Sequence, residues 1–184
     1  MNMQKKTSLE SDRLTLVAST ANHVRTELEA PEKLAHLLGA VVSPAWPSGE
    51  YDRHAMEFFL ACFEEGGESA EGWYGWYALG PHDEPGPRSL LGAGGYFGPP
   101  DTDGTVEVGY SVLPEWQSRG YASEIVRLLV RHAFTFSRTR RIIAHTAENN
   151  LASIKVLLRC GFQQVGAGTE AGTLRFECPR PMGP

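Results

Sequence analysis

The run Gln117-Ser118-Arg119-Gly120-Tyr121-Ala122-Ser123 holds the residue types that suit an anion. Gly120 lets the backbone come close to a bulky phosphate, and Ala122 is small at the next point of approach. Ser118 and Ser123 can add hydroxyl donors, and Arg119 adds a charge. If a helix starts here, its first N–H groups lack partners within the helix. The positive end of its dipole falls at the same place. The chemistry is phosphate binding, with the kind of phosphate left open. Taken alone, the same residues also fit an ordinary strand-to-helix connection.

Two other phosphate loops fail. A P-loop needs Gly-x-x-x-x-Gly-Lys-Ser/Thr, which the chain lacks. Gly92-Ala-Gly94-Gly95-Tyr-Phe97-Gly98 has a glycine-rich look, but Phe97 stands where a dinucleotide loop needs its third glycine. Pro99-Pro100 follows instead of a helix. This stretch reads as a strand whose glycines leave room for a neighbour.

The run at 117–123 must be positioned by the elements around it. Thr105 to Leu113 is the clearest strand, with Val106, Val108, Tyr110 and Val112 on one face. Glu107, Gly109, Ser111 and Leu113 take the other face, and Pro114 ends the strand. Tyr121 to Ser137 is the clearest helix, with Ala122, Ile125, Val126, Leu129 and Ala133 forming an apolar stripe. Elsewhere, Leu14–Val17 reads as a first strand and 20–40 as helical with a break at Pro31. Asp52–Glu65 reads as a helix, Gly72–Leu79 and Leu90–Phe97 as strands, and Arg141–Thr146 as a short strand. Asn150–Cys160 reads as a helix with Asn149 or Asn150 as N-cap and Gly161 as its stop. Phe162–Val165 and Thr173–Phe176 are the last strands. The order β, α, α, β, β, β, α, β, α, β, β makes a mixed α/β domain with helices beside a central sheet.

Composition narrows the function classes. The 184 residues, 41% hydrophobic and 21% charged, suit one globular domain, assigned to residues 8–178 with tails at 1–7 and 179–184. A net charge of −5 argues against general affinity for nucleic acid. The basic run Arg138-Thr-Arg140-Arg141 reads as a solvated helix end. Cys62, Cys160 and Cys178 are odd in number and widely spaced, so a disulfide framework is not indicated and a reducing, cytoplasmic setting is expected. The polar start Met1–Ser8 has no signal-peptide core, and no stretch suits a transmembrane helix. The six histidines lack metal-ligand spacing, so no metal is expected.

The stretch Gln117-x-x-Gly120-x-Ala122 resembles the Gln/Arg-x-x-Gly-x-Gly/Ala loop of the GNAT N-acetyltransferase superfamily. Val106-Glu-Val-Gly-Tyr-Ser-Val-Leu-Pro114 resembles the family's fourth strand. Asn150-x-x-Ser153-x-x-Val156 with Gly161-Phe162 resembles its second cofactor element, in the spacing of the RimJ/RimL-like branch. Leu9-Glu-Ser-Asp-Arg-Leu14 is similar to that branch too. The resemblance spans 8 to about 178 and is strongest over 104–165.

The resemblance implies a central, mostly antiparallel mixed sheet flanked by helices, with the family's fourth and fifth strands splayed. It implies N-acetyl transfer from acetyl-CoA to a primary amine, on a small molecule or a protein N-terminus, by direct attack in a ternary complex. The diphosphate would rest on backbone amides of Gln117, Ser118, Arg119, Gly120, Tyr121, Ala122 and Ser123. The pantetheine would pair with Val112 and Leu113, with Asn150 on its amide and Ser153 near the sulfur. Asn150 could equally serve its helix as a cap. Glu107 is the candidate base, against a purely structural carboxylate, and a backbone N–H near Leu113 the candidate oxyanion donor. Many relatives carry a tyrosine acid where this chain has Leu157, so Ser153, Ser111 or a water must serve. Leu157 also supports the alternative of a non-catalytic acyl-CoA-binding module, whereas Glu107 and the intact loop argue against it. His145 faces either core or cleft. Trp46 could hold an amine through its ring or simply pack. Dimers are common in the family.

Overall fold

A computed structural model describes residues 7–49, 51–82 and 85–181. Eight strands form one sheet: β1 Ser8–Glu10, β2 Thr15–Ala18, β3 Gly75–Gly80, β4 Ser89–Tyr96, β5 Thr105–Val112, β6 Arg141–Ala147, β7 Gln163–Ala167 and β8 Thr173–Pro179. Their spatial order is β1-β2-β3-β4-β5-β6-β8-β7. The helices are α1 Ala21–Glu29, α2 Leu34–Leu38, α3 Arg53–Gly66, α4 Tyr121–Ala133 and α5 Leu151–Arg159. All strand pairs are antiparallel except β5 with β6. That parallel pair needs a crossover, which α4 supplies.

The sheet has helices on both faces. On one face, α4 places Ile125, Val126 and Leu129 against Leu16, Ala78, Val106, Val108 and Val112. Ile125, Val126 and Leu129 are fully enclosed, worth roughly 1.5–3 kcal/mol each. Gly94 on β4 permits this close approach: a Cβ there would sit 2.7 Å from Ile125 Cγ2 and 2.9 Å from Leu129 Cδ1. The other face packs Val17, Tyr77, Leu79 and Leu90 beneath Leu34 and Leu38 of α2. Val24 of α1 and Met56 and Phe63 of α3 form a further cluster.

Several boundaries differ from the sequence expectation. The helical break at Pro31 is a 3₁₀ turn over Pro31–Lys33 between α1 and α2. Strand β1 was not expected, because three residues are too few to show a period. Helix α4 stops at Ala133 instead of Ser137. Thr135 Oγ1 donates to His132 O at 2.7 Å, a local bond that competes with helix continuation. The arginines at 138–141 therefore lead into β6 and are not the last turn of a helix. Strand β8 reaches Pro179, and Arg180 is tied down by N–H bonds to Arg140 O and Thr139 O, so residues 179–180 are not a tail. The expected tail residues 1–6 and 182–184 lie outside the described residues, as do residues 83 and 84 of the loop between β3 and β4.

One buried carboxylate organises the helical layer beside the sheet. Glu27 of α1 accepts from Trp46 Nε1 at 2.7 Å and from the hydroxyls of Tyr51 and Tyr77, each at 2.6 Å. Burial raises its pKa, and the three donors work the other way. These bonds join α1, the 42–51 loop and β3. Trp46 is thereby committed to packing, with ring centroids 5.5 Å from Tyr51 and 6.2 Å from Tyr77. Glu27→Ala would strand three buried donors, each costing about 1–3 kcal/mol. We expect it to lower the unfolding free energy by ~3–5 kcal/mol, measured as a shift of the urea midpoint at constant m-value. A midpoint within experimental error of wild type would show that the carboxylate organises nothing.

Candidate active site

The ladder between β5 and β6 holds only at one end. Thr105, Val106 and Glu107 pair with Arg141, Ile142 and Ile143. Beyond them β5 runs to Val112 and β6 to Ala147 without pairing to each other, so a gap opens in the middle of the sheet. β6 instead pairs with β8 along its whole length, Arg141–Ala147 against Thr173–Pro179.

Alternation decides which backbone groups face this gap. Glu107 O accepts from Phe97 N at 3.2 Å and Leu113 N donates to Leu91 O at 2.8 Å, so the odd-numbered residues of β5 bond toward β4. The N–H groups of Tyr110 and Val112 then point the opposite way, toward the gap. This corrects the expectation for Leu113. Its N–H is taken by Leu91 and so does not serve as the oxyanion donor, while its carbonyl accepts from Trp116 N at 2.9 Å.

After β5 the chain makes a 3₁₀ turn at Pro114–Trp116 and enters the polar run. Gln117 Nε2 donates to Val112 O at 2.9 Å, folding the run back on the strand end. Ser118 has a φ of 61° and Gly120 a φ of 87°. Gly120 is the N-cap of α4, and no side chain caps that helix. The first turn therefore keeps its backbone donors directed outward from the helix start. Ser123 is buried in the first turn of α4. The Tyr121 ring is buried too, beneath the Arg13 guanidinium at 4.5 Å.

Arg13 braces the whole turn. It bonds Glu124 Oε2 through Nε at 3.0 Å and Nη2 at 2.6 Å, and Arg119 O through Nη1 at 3.2 Å. Ser11 Oγ adds a bond to Glu124 Oε1 at 2.5 Å. The segment Leu9–Leu14, which carried part of the family resemblance, thus holds the loop. Arg119 lies over the Trp116 ring at 5.0 Å.

Across the gap, α5 begins beside β6. Asn150 caps it, with Oδ1 accepting from Ser153 N at 3.1 Å. The carbonyl half of the Asn150 amide serves the helix, and its NH₂ half makes no bond among the described residues. Ser153 Oγ lies 2.9 Å from Tyr110 Oη, which also donates to Ser153 O at 3.2 Å. Burial pushes the Tyr110 phenol up to about 12, and its Ser153 bond works against that. Sequence reasoning missed Tyr110 as a polar group because it counted the residue only as part of an apolar face. Leu157 is fully buried in the core.

Glu107 and Ser111 occupy the opposite face of β5 from Tyr110. Ser111 and Ser153 are therefore on different sides of the sheet. Gly49 of the 42–51 loop lies over Ser111, where a Cβ would come 3.0 Å from Ser111 Cβ. The hydroxyls of Ser48 and Ser111 are both enclosed without a protein partner. Glu107 Oε1 is 2.8 Å from His145 Nδ1 of β6, and the Glu107 side chain is 35% exposed. A half-open carboxylate thus stands where the β5–β6 ladder ends.

The site has an uncapped helix start at one end, a strand-like gap in the middle and a carboxylate at the closed end. The sequence matches the acetyltransferase (GNAT) domain family over residues 13–163. It is 25% identical over 139 residues to the uncharacterized N-acetyltransferase YjdG of Bacillus subtilis, covering 73% of this chain and 79% of that one. Its fold is similar to the ribosomal-protein-S5-alanine acetyltransferase of Vibrio fischeri, with a TM-score of 0.65 at 18% identity over 94% and 96% of the two chains. It is also similar to RimL in complex with coenzyme A, with a TM-score of 0.63 at 18% identity over 94% and 98%. No helix among the described residues is long and apolar enough to cross a membrane. The chain belongs to the GNAT acetyltransferase family, and its reaction is the transfer of an acetyl group from acetyl-CoA to an amine.

Proposed function

We propose that the acceptor is a primary amine, on a small molecule or a protein N-terminus, and that it attacks the thioester directly in a ternary complex. The observation that carries this reading is the gap that opens at Glu107 and Ile143, between the helix start at one end and a carboxylate at the other. The diphosphate rests on backbone amides of the 117–123 run. The pantetheine arm takes the strand position beside Val112, within reach of the Asn150 NH₂ group and Ser153. The acetyl group then reaches the Glu107 face.

Each proton has a stated place. The ammonium proton of the acceptor passes to Glu107, directly or through a water, which leaves a neutral amine to attack. The oxygen that becomes negative takes a hydrogen bond from a β5 N–H facing the gap, at Tyr110 or Val112. The thiolate leaves toward Ser153 Oγ, which Tyr110 Oη braces and which passes it a proton, while the attacking nitrogen gives up its second proton to water, so that the amide and the free thiol result. Ser111, with Ser48, lines the acceptor side. A reducing cytoplasmic setting suits the three free cysteines.

The test is a panel of primary amines and N-terminal peptides with acetyl-CoA, followed by thiol release. At least one acceptor should raise thiol release above the hydrolysis background. Initial-velocity lines at varied amine and acetyl-CoA should intersect. Parallel lines would replace direct attack by an acetylated enzyme, and a panel with no release above background would remove the catalytic reading of Glu107.

A further inference from the structure

We propose that His145 is a positioning residue for Glu107, fixing which carboxylate oxygen meets the acceptor. This rests on the reading of Glu107 as the base. Their contact joins two strands exactly where the sheet parts: Glu107 is the last residue of β5 paired with β6, and His145 lies two residues past its partner Ile143. On a strand, residues two apart share a face. Hence Ile143 and His145 both stand on the face that carries Glu107.

The ring's hydrogen can be placed from its surroundings. Nδ1 lies 2.8 Å from Glu107 Oε1, a carboxylate oxygen that can only accept. Nε2 is enclosed and has no protein partner. A hydrogen on Nδ1 therefore has an acceptor, whereas a hydrogen on Nε2 would be buried unmet. Buried N–H groups without partners are rarer than unmet acceptors. The ring donates from Nδ1 and keeps its lone pair at Nε2.

The surroundings hold the ring in that attitude. The His145 side chain is 15% exposed. Gly168, beyond β7, packs on its far edge, where a Cβ would lie 3.2 Å from His145 Cδ2 and would also collide with Thr173. Arg175 is its cross-strand partner on β8, and Arg175 in turn faces Glu177, which also meets Arg141. Within β5, β6 and β8, the charged groups on this face are Glu107, Arg141, Arg175 and Glu177. Among the described residues, only Glu107 hydrogen-bonds the ring.

The consequence is a carboxylate with two unlike oxygens. Oε1 is pinned by the ring, and Oε2 remains to receive the acceptor's proton. A glutamate left alone would sample several rotamers of a long side chain, and ordering it costs conformational entropy. His145 meets that cost in the resting protein, so the base is held in place before the amine arrives. The proton moves from the acceptor nitrogen to Oε2 and then to solvent, while the Nδ1 hydrogen stays on the ring throughout.

The experiment compares His145→Leu, which cannot donate, with His145→Gln, which can. The Leu variant should lose kcat by ~10²-fold, the cost of a misplaced reacting group. Its acetyl-CoA Kd by calorimetry should stay within about twofold of wild type. The Gln variant should recover most of the loss, and Glu107→Gln/His145→Leu should be no slower than Glu107→Gln alone, because one unit is being broken twice. Wild-type kcat in His145→Leu, or equal losses in the Leu and Gln variants, would overturn the proposal while leaving the base reading intact. Wild-type kcat in Glu107→Gln would instead remove the base reading and the proposal with it. Nitrogen-15 NMR of the resting protein supplies a readout independent of turnover. A protonated Nδ1 whose signal shifts in Glu107→Gln is expected, and a protonated Nε2 with bare Nδ1 would refute the assignment.

Discussion

Glu107→Gln is expected to lower kcat by ~10²–10⁴-fold, the usual contribution of a positioned general base. Glutamine keeps the size and the hydrogen-bonding length of glutamate but cannot take a proton at neutral pH. The acetyl-CoA Kd should hardly move, because Glu107 stands on the acceptor face of β5 and the helix start of α4 lies beyond the other end of that strand. Steady-state kinetics with the best acceptor, paired with calorimetry of acetyl-CoA, separates these effects. If turnover and cofactor affinity fall by the same factor, Glu107 is structural. The ladder residue at the closed end of the gap would then serve only to hold β5 against β6.

Gly120→Glu is the counterpart on the cofactor side, and acetyl-CoA affinity should weaken by at least ~10²-fold. Two physical effects combine. The φ of 87° at Gly120 is a conformation that side-chain-bearing residues enter at a cost of ~1–3 kcal/mol. A carboxylate at the N-cap of α4 also puts negative charge where the diphosphate is expected. Gly120→Ala isolates the first effect and should weaken binding by about 10-fold or less. The space itself is adequate, since a Cβ would lie 3.6 Å from Arg13 Nη2. Unchanged calorimetric affinity in the Glu variant would take the 117–123 run out of the cofactor site.

Some of this site was legible in the residues themselves. The alternation of Val106, Val108, Tyr110 and Val112 placed Glu107 and Ser111 together on one face. The stripe of Ile125, Val126 and Leu129 located α4. Asn150 was readable as a cap because only a few residue types fill that position well. What stayed hidden depends on how separate elements meet. The Glu107–His145 bond needs the parallel register of β5 on β6, which no local pattern encodes. Whether Leu113 N–H points to the gap depends on the parity of β4–β5 pairing. Leu157 raised doubt about an acid because its spacing from Asn150 was known and its helical phase in the packed domain was not. The Tyr110–Ser153 contact and the three donors on Glu27 likewise join residues far apart in sequence.

The gap between β5 and β6 has a consequence for how the chain avoids sticking to other proteins. Unpaired backbone along a strand is a template for aggregation when it lies on the outside of a sheet. Here part of that unpaired backbone belongs to two central strands, flanked by β4 on one side and β8 on the other. The closed end at Glu107 and Ile143 keeps the two inner edges a fixed distance apart. Helix α5 and the 42–51 loop stand beside the opening. A foreign strand cannot lie flat along an interior edge as it can along an outer one, but a slim, peptide-like arm can slide in from the end. The fold thus keeps a row of hydrogen-bonding groups ready for a ligand while hiding them from its neighbours in solution.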